Sequence, residues 1–444
     1  MRTGIHHTTG LKTLKGRPLV RAAAWFLAAV LGLLVACGTP AQQSSGGADA
    51  ANPVEDAQNE DAPEDAQEPD AVTEPLVVRV ATYNVSFHRA AQGQLATDLA
   101  DPEHAQAKAV AEVIQRVRPD VLLLCEFDYD AQGQGLSRFA DNFLAVAQAQ
   151  DVESIDYPHQ MVFASNTGQP SGVDLDNNGQ VVTEPGSGAY GGDSLGFGVF
   201  PGQYAFAVLS KYPLDRDAVR TFQNLKWSAM PDNMFPGDFY SAEAAEVMVL
   251  SSKNHVDLPV QIDDQTLHFL LSHPTPPVFD GPEDRNGRRN FDELRLWADY
   301  LTGDQAATYI QDDAGRAGGL DAGAHFVIAG DLNADPNDGD SAAGAIAQLL
   351  EHPAVNPQPI PAGDGGLAQA DQGINANHKG QPQHDTTDFE DARVGNLRLD
   401  YVLPSKTLGV TDSGVFWPAP ESAQSSLVEA SDHRLVWIDV NLRP

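Results

Sequence analysis

Six apolar, β-branched runs in this chain each end on polar side chains that can handle a proton or a metal ion. The six ends read Thr82-Tyr83-Asn84, Leu124-Cys125-Glu126, Leu271-Ser272-His273, Gly330-Asp331-Leu332-Asn333, Leu399-Asp400-Tyr401 and Ser431-Asp432-His433. A strand that stops on a carboxylate or an imidazole places a group that is costly to desolvate at the edge of a core. Six such ends therefore predict one assembled site rather than six unrelated surface positions.

Helical patterns alternate with these runs. Residues 121–127 form a continuous apolar run, which is typical of a strand buried on both faces. Asp101-Pro102 predicts the start of a helix that ends before Pro119, and a further helix is predicted over 289–302. The Gly-, Ser- and Asn-rich residues 165–202 predict a long surface insertion. Interleaved strands and helices indicate an α/β (α+β) protein rather than an all-β one.

The N-terminus has the pattern of an export leader. Residues 1–21 are basic and contain no acid, and residues 22–35 are apolar. That stretch is short for a bilayer span and suits a signal peptide. Leu34-Val35-Ala36-Cys37 resembles a bacterial lipobox, which implies a lipoprotein signal peptide over 1–36 and a lipid anchor on Cys37, at the periplasmic or cell-surface face of a bacterial membrane. The alternative is an ordinary secretory leader with a chance cysteine.

The next segment predicts a spacer, and the overall charge limits the partners. Residues 37–75 hold ten acids, no Lys or Arg and almost no large apolar side chain, so we predict a disordered acidic linker before a domain over 76–444. The formal net charge of −35 opposes binding to polyanions unless cations intervene. Without a basic stripe or a recognition helix, we expect no sequence-specific nucleic-acid binding. We also expect a monomer. Solubility in a saline habitat would also explain the acidity.

The ordered motifs resemble the endonuclease/exonuclease/phosphatase superfamily, the fold of pancreatic-type deoxyribonuclease. They are Tyr83-Asn84-Val85, residues 120–126, Ala207-Val208-Leu209-Ser210-Lys211, Ser272-His273, residues 330–336, residues 399–403 and Ser431-Asp432-His433. The set spans nearly all of 76–444 in the order of the family. The resemblance implies a four-layer sandwich, in which two mixed β-sheets pack face to face with helices outside. It places the active site at one edge, where strand ends converge.

The resemblance also implies a metal site formed by Asn84, Glu126 and Asp432. Carboxylate oxygens suit Mg²⁺ or Mn²⁺, and the amide oxygen of Asn84 adds a ligand without charge. Many repair endonucleases of the family carry an acid two residues after the Asn, whereas this chain has Ser86 there. A second ligand would then come from elsewhere, or the metal would bind less tightly.

The catalytic residues implied by the resemblance are His273, Asp331, Asn333, Asp400 and His433. Asp331 would accept a proton from the attacking water or orient it, and Asn333 would donate to a phosphoryl oxygen. His433 would act as general acid or base, with Asp400 holding its tautomer. His273 matches the second histidine of the nuclease branch. Residues 194–214 contain no acid that could orient this histidine. The alternative to a catalytic role is that His273 is a loop histidine with a satisfied hydrogen bond.

Two arginines are candidates for substrate binding. Arg285 and Arg288 follow His273 in a strongly acidic domain, and a guanidinium can donate two N–H bonds to a phosphate. The alternative is an Arg–carboxylate network that caps the helix over 289–302.

A possible structural Ca²⁺ loop lies in the insertion. Asp174, Asp176 and Asn178 place oxygens at positions 1, 3 and 5, and Gly179 follows at position 6. Position 12 is Pro185 rather than an acid, so a plain polar turn is the alternative.

These observations predict a metal-dependent hydrolase of phosphate esters, foremost a phosphodiesterase or nuclease of broad specificity that acts outside the cytoplasm. A phosphomonoesterase or phospholipid phosphodiesterase of the same fold is the alternative, and a non-catalytic surface binding protein is a minor one. An open groove favours the first reading, and a deep pocket lined by Arg285, Arg288 and Lys253 favours the second. Fold alone does not choose between them.

Overall fold

The computed structural model describes residues 74–444, so the predicted signal peptide, Cys37 and nearly all of the predicted linker lie outside the described residues. Within them the strands are β1 (Val77–Phe87), β2 (Val121–Phe127), β3 (His159–Phe163), β4 (Phe206–Ser210), β5 (Arg220–Thr221), β6 (His255–Ile262), β7 (Gln265–Ser272), β8 (His325–Asp331), β9 (Asp400–Pro404), β10 (Gly409–Val415) and β11 (Val436–Asn441). The α-helices are α1 (Gln94–Asp98), α2 (Ala105–Val117), α3 (Gln134–Phe139), α4 (Gly188–Gly192), α5 (Ala242–Val247), α6 (Arg285–Thr302), α7 (Ala347–Leu350) and α8 (Asp364–Gln369).

The strands form two mixed sheets. The first has the order β10-β11-β1-β2-β4-β3 and the second the order β5-β6-β7-β8-β9. In the first sheet β1 and β2 are parallel, and in the second β7 and β8 are parallel, while the other neighbours are antiparallel. This arrangement confirms the prediction of two mixed sheets.

Three apolar clusters show how the layers stack. The central cluster joins Val80 and Leu123 of the first sheet to Leu258 and Val327 of the second, so the sheets pack face to face. A second cluster places α6 on the outer face of the second sheet, and a third places α2 on the outer face of the first. Alternate side chains of β1, β2, β7 and β8 therefore pack into two different cores. The predicted four-layer sandwich is confirmed.

Two helix starts differ from the prediction. Helix α2 begins at Ala105 rather than at Asp101-Pro102, because the side chain of His104 caps it by accepting a hydrogen bond from the backbone N–H of Ala107. Helix α6 begins at Arg285, four residues before the predicted position. The end of α2 is as expected, since Arg118 adopts a left-handed conformation just before Pro119.

The prediction of a surface insertion over 165–202 was wrong in part. Asn166, Thr167 and Asp193 are buried, and the Asn166 side chain donates to the backbone carbonyls of Gln223 and Ser251. Polar composition misled the prediction because these buried side chains are satisfied by backbone groups. No helix within residues 74–444 is both long and apolar enough to cross a membrane.

The topology brings the predicted polar ends together. Asn84 on β1 pairs with Cys125 on the parallel strand β2, so Glu126 follows at the same edge. In the second sheet Asp331, at the end of β8, pairs with Asp400 at the start of β9. The carboxyl ends of the parallel pairs thus meet at one edge of the sandwich, where the loops can build a site.

Candidate active site

Asp331 lies at the centre of the converging residues. It is 2 % exposed, and its Oδ2 lies 3.4 Å from Nε2 of His273 and 3.6 Å from Nε2 of His433. The side-chain amide of Asn84 also donates to Oδ2, at 3.1 Å. Neither imidazole is hydrogen-bonded to Asp331, but the buried setting strengthens the electrostatic interaction of this carboxylate with both.

His433 is oriented by a second carboxylate. Its Nδ1 lies 2.8 Å from Oδ2 of Asp400, and Thr386 donates its hydroxyl to the same oxygen at 2.8 Å. The other oxygen of Asp400 is buried and accepts no hydrogen bond from residues 74–444. The Asp400–His433 contact leaves Nε2 of His433 facing Asp331, which is the orientation that proton transfer at Nε2 requires.

Burial and charge separate the protonation states of the two histidines. Burial lowers the pKa of His433, but the charges of Asp400 and Asp331 outweigh it and raise this pKa to about 10. Burial, together with the charge of Lys253, holds the pKa of His273 well below its usual value. Burial also raises the pKa of Asp331 to about 7, although the nearby His433 opposes that rise. Of these two histidines, His433 therefore favours its protonated form and His273 its neutral form.

His273 is in the site but has no orienting acid. Its Nδ1 is buried and has no hydrogen-bond partner within residues 74–444. The absence of an acid over 194–214 in the sequence agrees with this. The loop-histidine alternative fits poorly, because Nε2 faces the central carboxylate.

Backbone geometry at the end of β8 is unusual. A side chain at Gly330, whose φ is +156°, would place its Cβ 1.9 Å from the backbone oxygen of Ser272 on β7. Asn333 has a φ of 52°, its backbone N–H donates to Oδ1 of Asp331, and its side-chain amide donates to the carbonyl of Pro274. Such left-handed non-glycine residues concentrate where surrounding contacts hold them in place, and functional sites are common examples.

Two of the predicted metal ligands, Glu126 and Asp432, contact residues that follow Asn84 on β1 or just after it. Glu126 is half-buried and has a φ of 56°, and its Oε2 lies 2.6 Å from Nδ1 of His88. Burial alone would raise the pKa of Glu126, but the hydrogen bond with His88 outweighs burial, and the pKa falls to about 2. Asp432 is exposed and accepts a hydrogen bond from the hydroxyl of Ser86 at 2.9 Å. An ionised Glu126, an accessible Asp432 and the amide oxygen of Asn84 fit a hard divalent cation.

Two residues of the site were not predicted from the sequence. His88 follows Asn84 by four positions, and its ring packs 4.8 Å from that of Tyr204. Its place near the end of the same motif was a usable signal. Thr386 comes from a long polar stretch, and no local pattern could have linked it to Asp400.

Arg285 and Arg288 have no described hydrogen bond to the central residues. Arg285 pairs with Glu283, and its guanidinium lies 5.1 Å from the centre of the Phe239 ring. This contact matches the alternative of an Arg–carboxylate network beside α6. Binding of a substrate phosphate by the two arginines stays a prediction.

The proposed calcium loop gathers its acids as expected, together with one more. Asp174, Asp176 and Asp193 each offer an oxygen, and these oxygens lie within 4.8 Å of one another. The backbone N–H groups of Asn178 and Gly179 donate to Asp174. Because backbone hydrogen bonds of this kind also occur in plain turns, Ca²⁺ binding stays a prediction.

The chain is similar to one protein family and to several solved structures. A protein-family model, described as the Endonuclease/Exonuclease/phosphatase family, matches residues 81–433. No curated protein matches the sequence. Among solved structures, an endonuclease/exonuclease/phosphatase from Beutenbergia cavernae is 18% identical with a TM-score of 0.42, covering 82% of this chain and 72% of that one. Sphingomyelinase C from Streptomyces griseocarneus is 16% identical with a TM-score of 0.41, covering 82% and 99%.

Proposed function

Because the chain belongs to the endonuclease/exonuclease/phosphatase family, we propose that it is a metal-dependent phosphoric ester hydrolase that cleaves phosphodiesters. The arrangement that supports this most directly is Asp331 between the imidazoles of His273 and His433, with Asp400 behind His433. Hydrolysis of a phosphate ester needs a water that loses a proton, a group that returns one, and donors for the phosphoryl oxygens. These residues offer all three.

The roles follow from the charges. Asp331 is the base that orients and deprotonates the attacking water, since its raised pKa brings its basicity close to neutral pH. His433 carries its proton at neutral pH and donates it, or a hydrogen bond, at Nε2. Asn333 uses one N–H of its amide on Pro274 and has a second N–H for a phosphoryl oxygen.

Glu126, Asp432 and Asn84 would hold Mg²⁺ or Mn²⁺. When bound, the cation would neutralise charge on the phosphoryl oxygens. His88 orients Glu126 and keeps it ionised, which prepares a charged oxygen for the ion. Ser86 contributes a hydroxyl that donates to Asp432.

Hydrolysis of bis-p-nitrophenyl phosphate and of p-nitrophenyl phosphate tests the proposal. We expect diester cleavage that EDTA abolishes and that added Mg²⁺ or Mn²⁺ restores. Cleavage of the monoester alone would favour the phosphomonoesterase alternative. If the diester is cleaved, assays with DNA, RNA and sphingomyelin separate the possible diester substrates. Absence of hydrolysis with every metal would contradict the proposal for these substrates.

We also propose that the enzyme acts outside the cytoplasm, held at a bacterial membrane by a lipid on Cys37. The support is the leader and the four residues Leu34-Val35-Ala36-Cys37. In a bacterial host, we expect the wild-type chain in the membrane fraction and Cys37→Ala in the soluble exported fraction. Retention of Cys37→Ala in the membrane would contradict the anchor.

A further inference from the structure

Lys253 is a buried cation beside the active site that the roles above leave unassigned. It is 7 % exposed, and its Nζ donates to the backbone carbonyl of Pro274 at 3.2 Å. The same carbonyl accepts the side-chain amide of Asn333 at 3.1 Å. An ammonium group has three N–H donors, and this carbonyl is its one hydrogen-bond acceptor within residues 74–444. Two donors therefore remain next to Asn333.

The charges around Lys253 connect it to the same site. Burial lowers the pKa of Lys253, while the carboxylates of Glu293, Asp331 and Glu126 oppose that change. Lys253 in turn helps to hold the pKa of His273 low. Lys253 forms no ion pair within residues 74–444, and a buried ammonium without a partner is costly. A bound anion would provide the missing partner.

Glu293 on α6 holds the two segments that flank this cation. Its Oε1 accepts the backbone N–H of Ser252, and its Oε2 accepts that of Thr275, each at 2.6 Å. Ser252 precedes Lys253, and Thr275 follows Pro274, so one buried carboxylate fixes both sides of the Lys253–Pro274 contact. The ammonium is thus preorganised rather than mobile, which favours stabilisation of a developing charge.

We propose that Lys253 binds a non-bridging oxygen of the substrate phosphate beside Asn333 and stabilises the negative charge of the transition state. The inference rests on the proposed phosphoesterase function and adds a cation to its binding site. It assigns to a buried lysine the phosphate contact that the sequence suggested for Arg285 and Arg288. Arg285 already has a carboxylate partner in Glu283, whereas Lys253 forms no ion pair within residues 74–444.

The test uses Lys253→Met in the full chain, with Lys226→Met as the matched control. Lys226 also donates its Nζ to a backbone carbonyl, that of Val247, but it is exposed. With bis-p-nitrophenyl phosphate and Mg²⁺, we expect kcat/KM to fall about 100-fold in Lys253→Met and to stay at the wild-type value in Lys226→Met. The melting temperature of Lys253→Met should not fall, because the variant removes an unpaired buried charge. Wild-type kcat/KM in Lys253→Met would overturn the proposal.

A titration with inorganic phosphate in the presence of Mg²⁺ separates this inference from the proposed function. We expect Lys253→Met to bind phosphate at least about tenfold more weakly than wild type, since a charge-assisted hydrogen bond is lost. If the wild type hydrolyses no ester but binds phosphate through Lys253, the proposed function fails, and of the inference only the phosphate contact of Lys253 stands. If the wild type binds no phosphate, or if Lys253→Met binds it equally well, the inference fails. Should Lys253→Met not fold, Lys253→Gln undergoes both measurements and decides in the same way.

Discussion

Two groups of acidic residues in this protein contain similar side chains but have opposite surroundings. Asp331 and Asp400 are buried and meet His433, whereas Asp174 and Asp176 lie half-buried in one loop, beside the buried Asp193. The first group comes from strands far apart in the sequence, and it is balanced chiefly by side chains: imidazoles, an amide and a hydroxyl. The second is balanced chiefly by backbone N–H groups of its own segment.

The difference separates chemistry from structure. Backbone N–H groups keep their protons, so carboxylates that they satisfy serve to shape a loop. Imidazoles can give and take protons, and burial raises the pKa of Asp331 to about 7, which makes proton transfer accessible near neutral pH. Asp400 also has one buried oxygen without a hydrogen-bond donor in the described chain. An unsatisfied buried oxygen costs free energy, which a purely structural cluster would avoid.

The largest expected effect comes from removing the central carboxylate. Asp331→Asn should lower kcat for bis-p-nitrophenyl phosphate by about 10³-fold, because the amide cannot accept the proton of the water. Asp193→Asn should stay within about threefold of wild type per folded molecule, measured in the same steady-state assay. Equal losses in both variants would erase the distinction between the two groups.

Asp400→Asn should have the next largest effect and should change the pH profile. We expect kcat to fall about 10²-fold. The charge of Asp400 helps to raise the pKa of His433 to about 10, so its loss lowers that pKa. If His433 acts in its protonated form, the alkaline decline of kcat then moves to lower pH than in wild type. Profiles of kcat between pH 6 and 10 check this, and an unshifted alkaline limb would contradict the acid role of His433.

Asp174, Asp176 and Asp193 should affect the stability of the fold rather than catalysis. Asp193→Ala leaves the backbone N–H groups of Leu175 and Val182 without their acceptor and should lower the free energy of unfolding by about 1–3 kcal/mol. Asp331→Asn should not lower it, since burying that carboxylate is itself costly. Urea denaturation in EDTA compares the two variants, and the reverse order of stabilities would contradict this assignment.

Calcium should give the smallest effect. If Asp174, Asp176 and Asn178 bind Ca²⁺, millimolar Ca²⁺ should raise the melting temperature of wild type by a few degrees, because the ion binds only the folded loop. Asp174→Ala should lose this increase and keep the effect of Mg²⁺ on hydrolysis. An equal increase in both proteins would show that Ca²⁺ acts elsewhere.

Much of the fold could be predicted because its signals are local. Strand β2 occupies 121–127 as predicted, since a continuous apolar run needs no distant partner to be recognised. The start of α2 was placed too early because Asp101-Pro102 is a plausible cap, yet His104 is the residue that caps the helix. The 165–202 segment was misjudged because its polar side chains bond to distant backbone groups that composition does not reveal.

The sequence by itself determined the interleaved strands and helices and the polar residues at their ends, among them Asp331, Asp400 and His433. The two-sheet sandwich followed from the resemblance of these ordered motifs to a known family. The tertiary structure decided which atoms meet: the amide of Asn84 reaches Asp331 across 247 positions, and Thr386 and Lys253 join the site from segments with no recognised motif. The physical reason is that strand patterns depend on residues that are neighbours in the sequence. Hydrogen-bond partners and pKa shifts depend instead on how the two sheets pack, and that packing brings the strand ends to one edge.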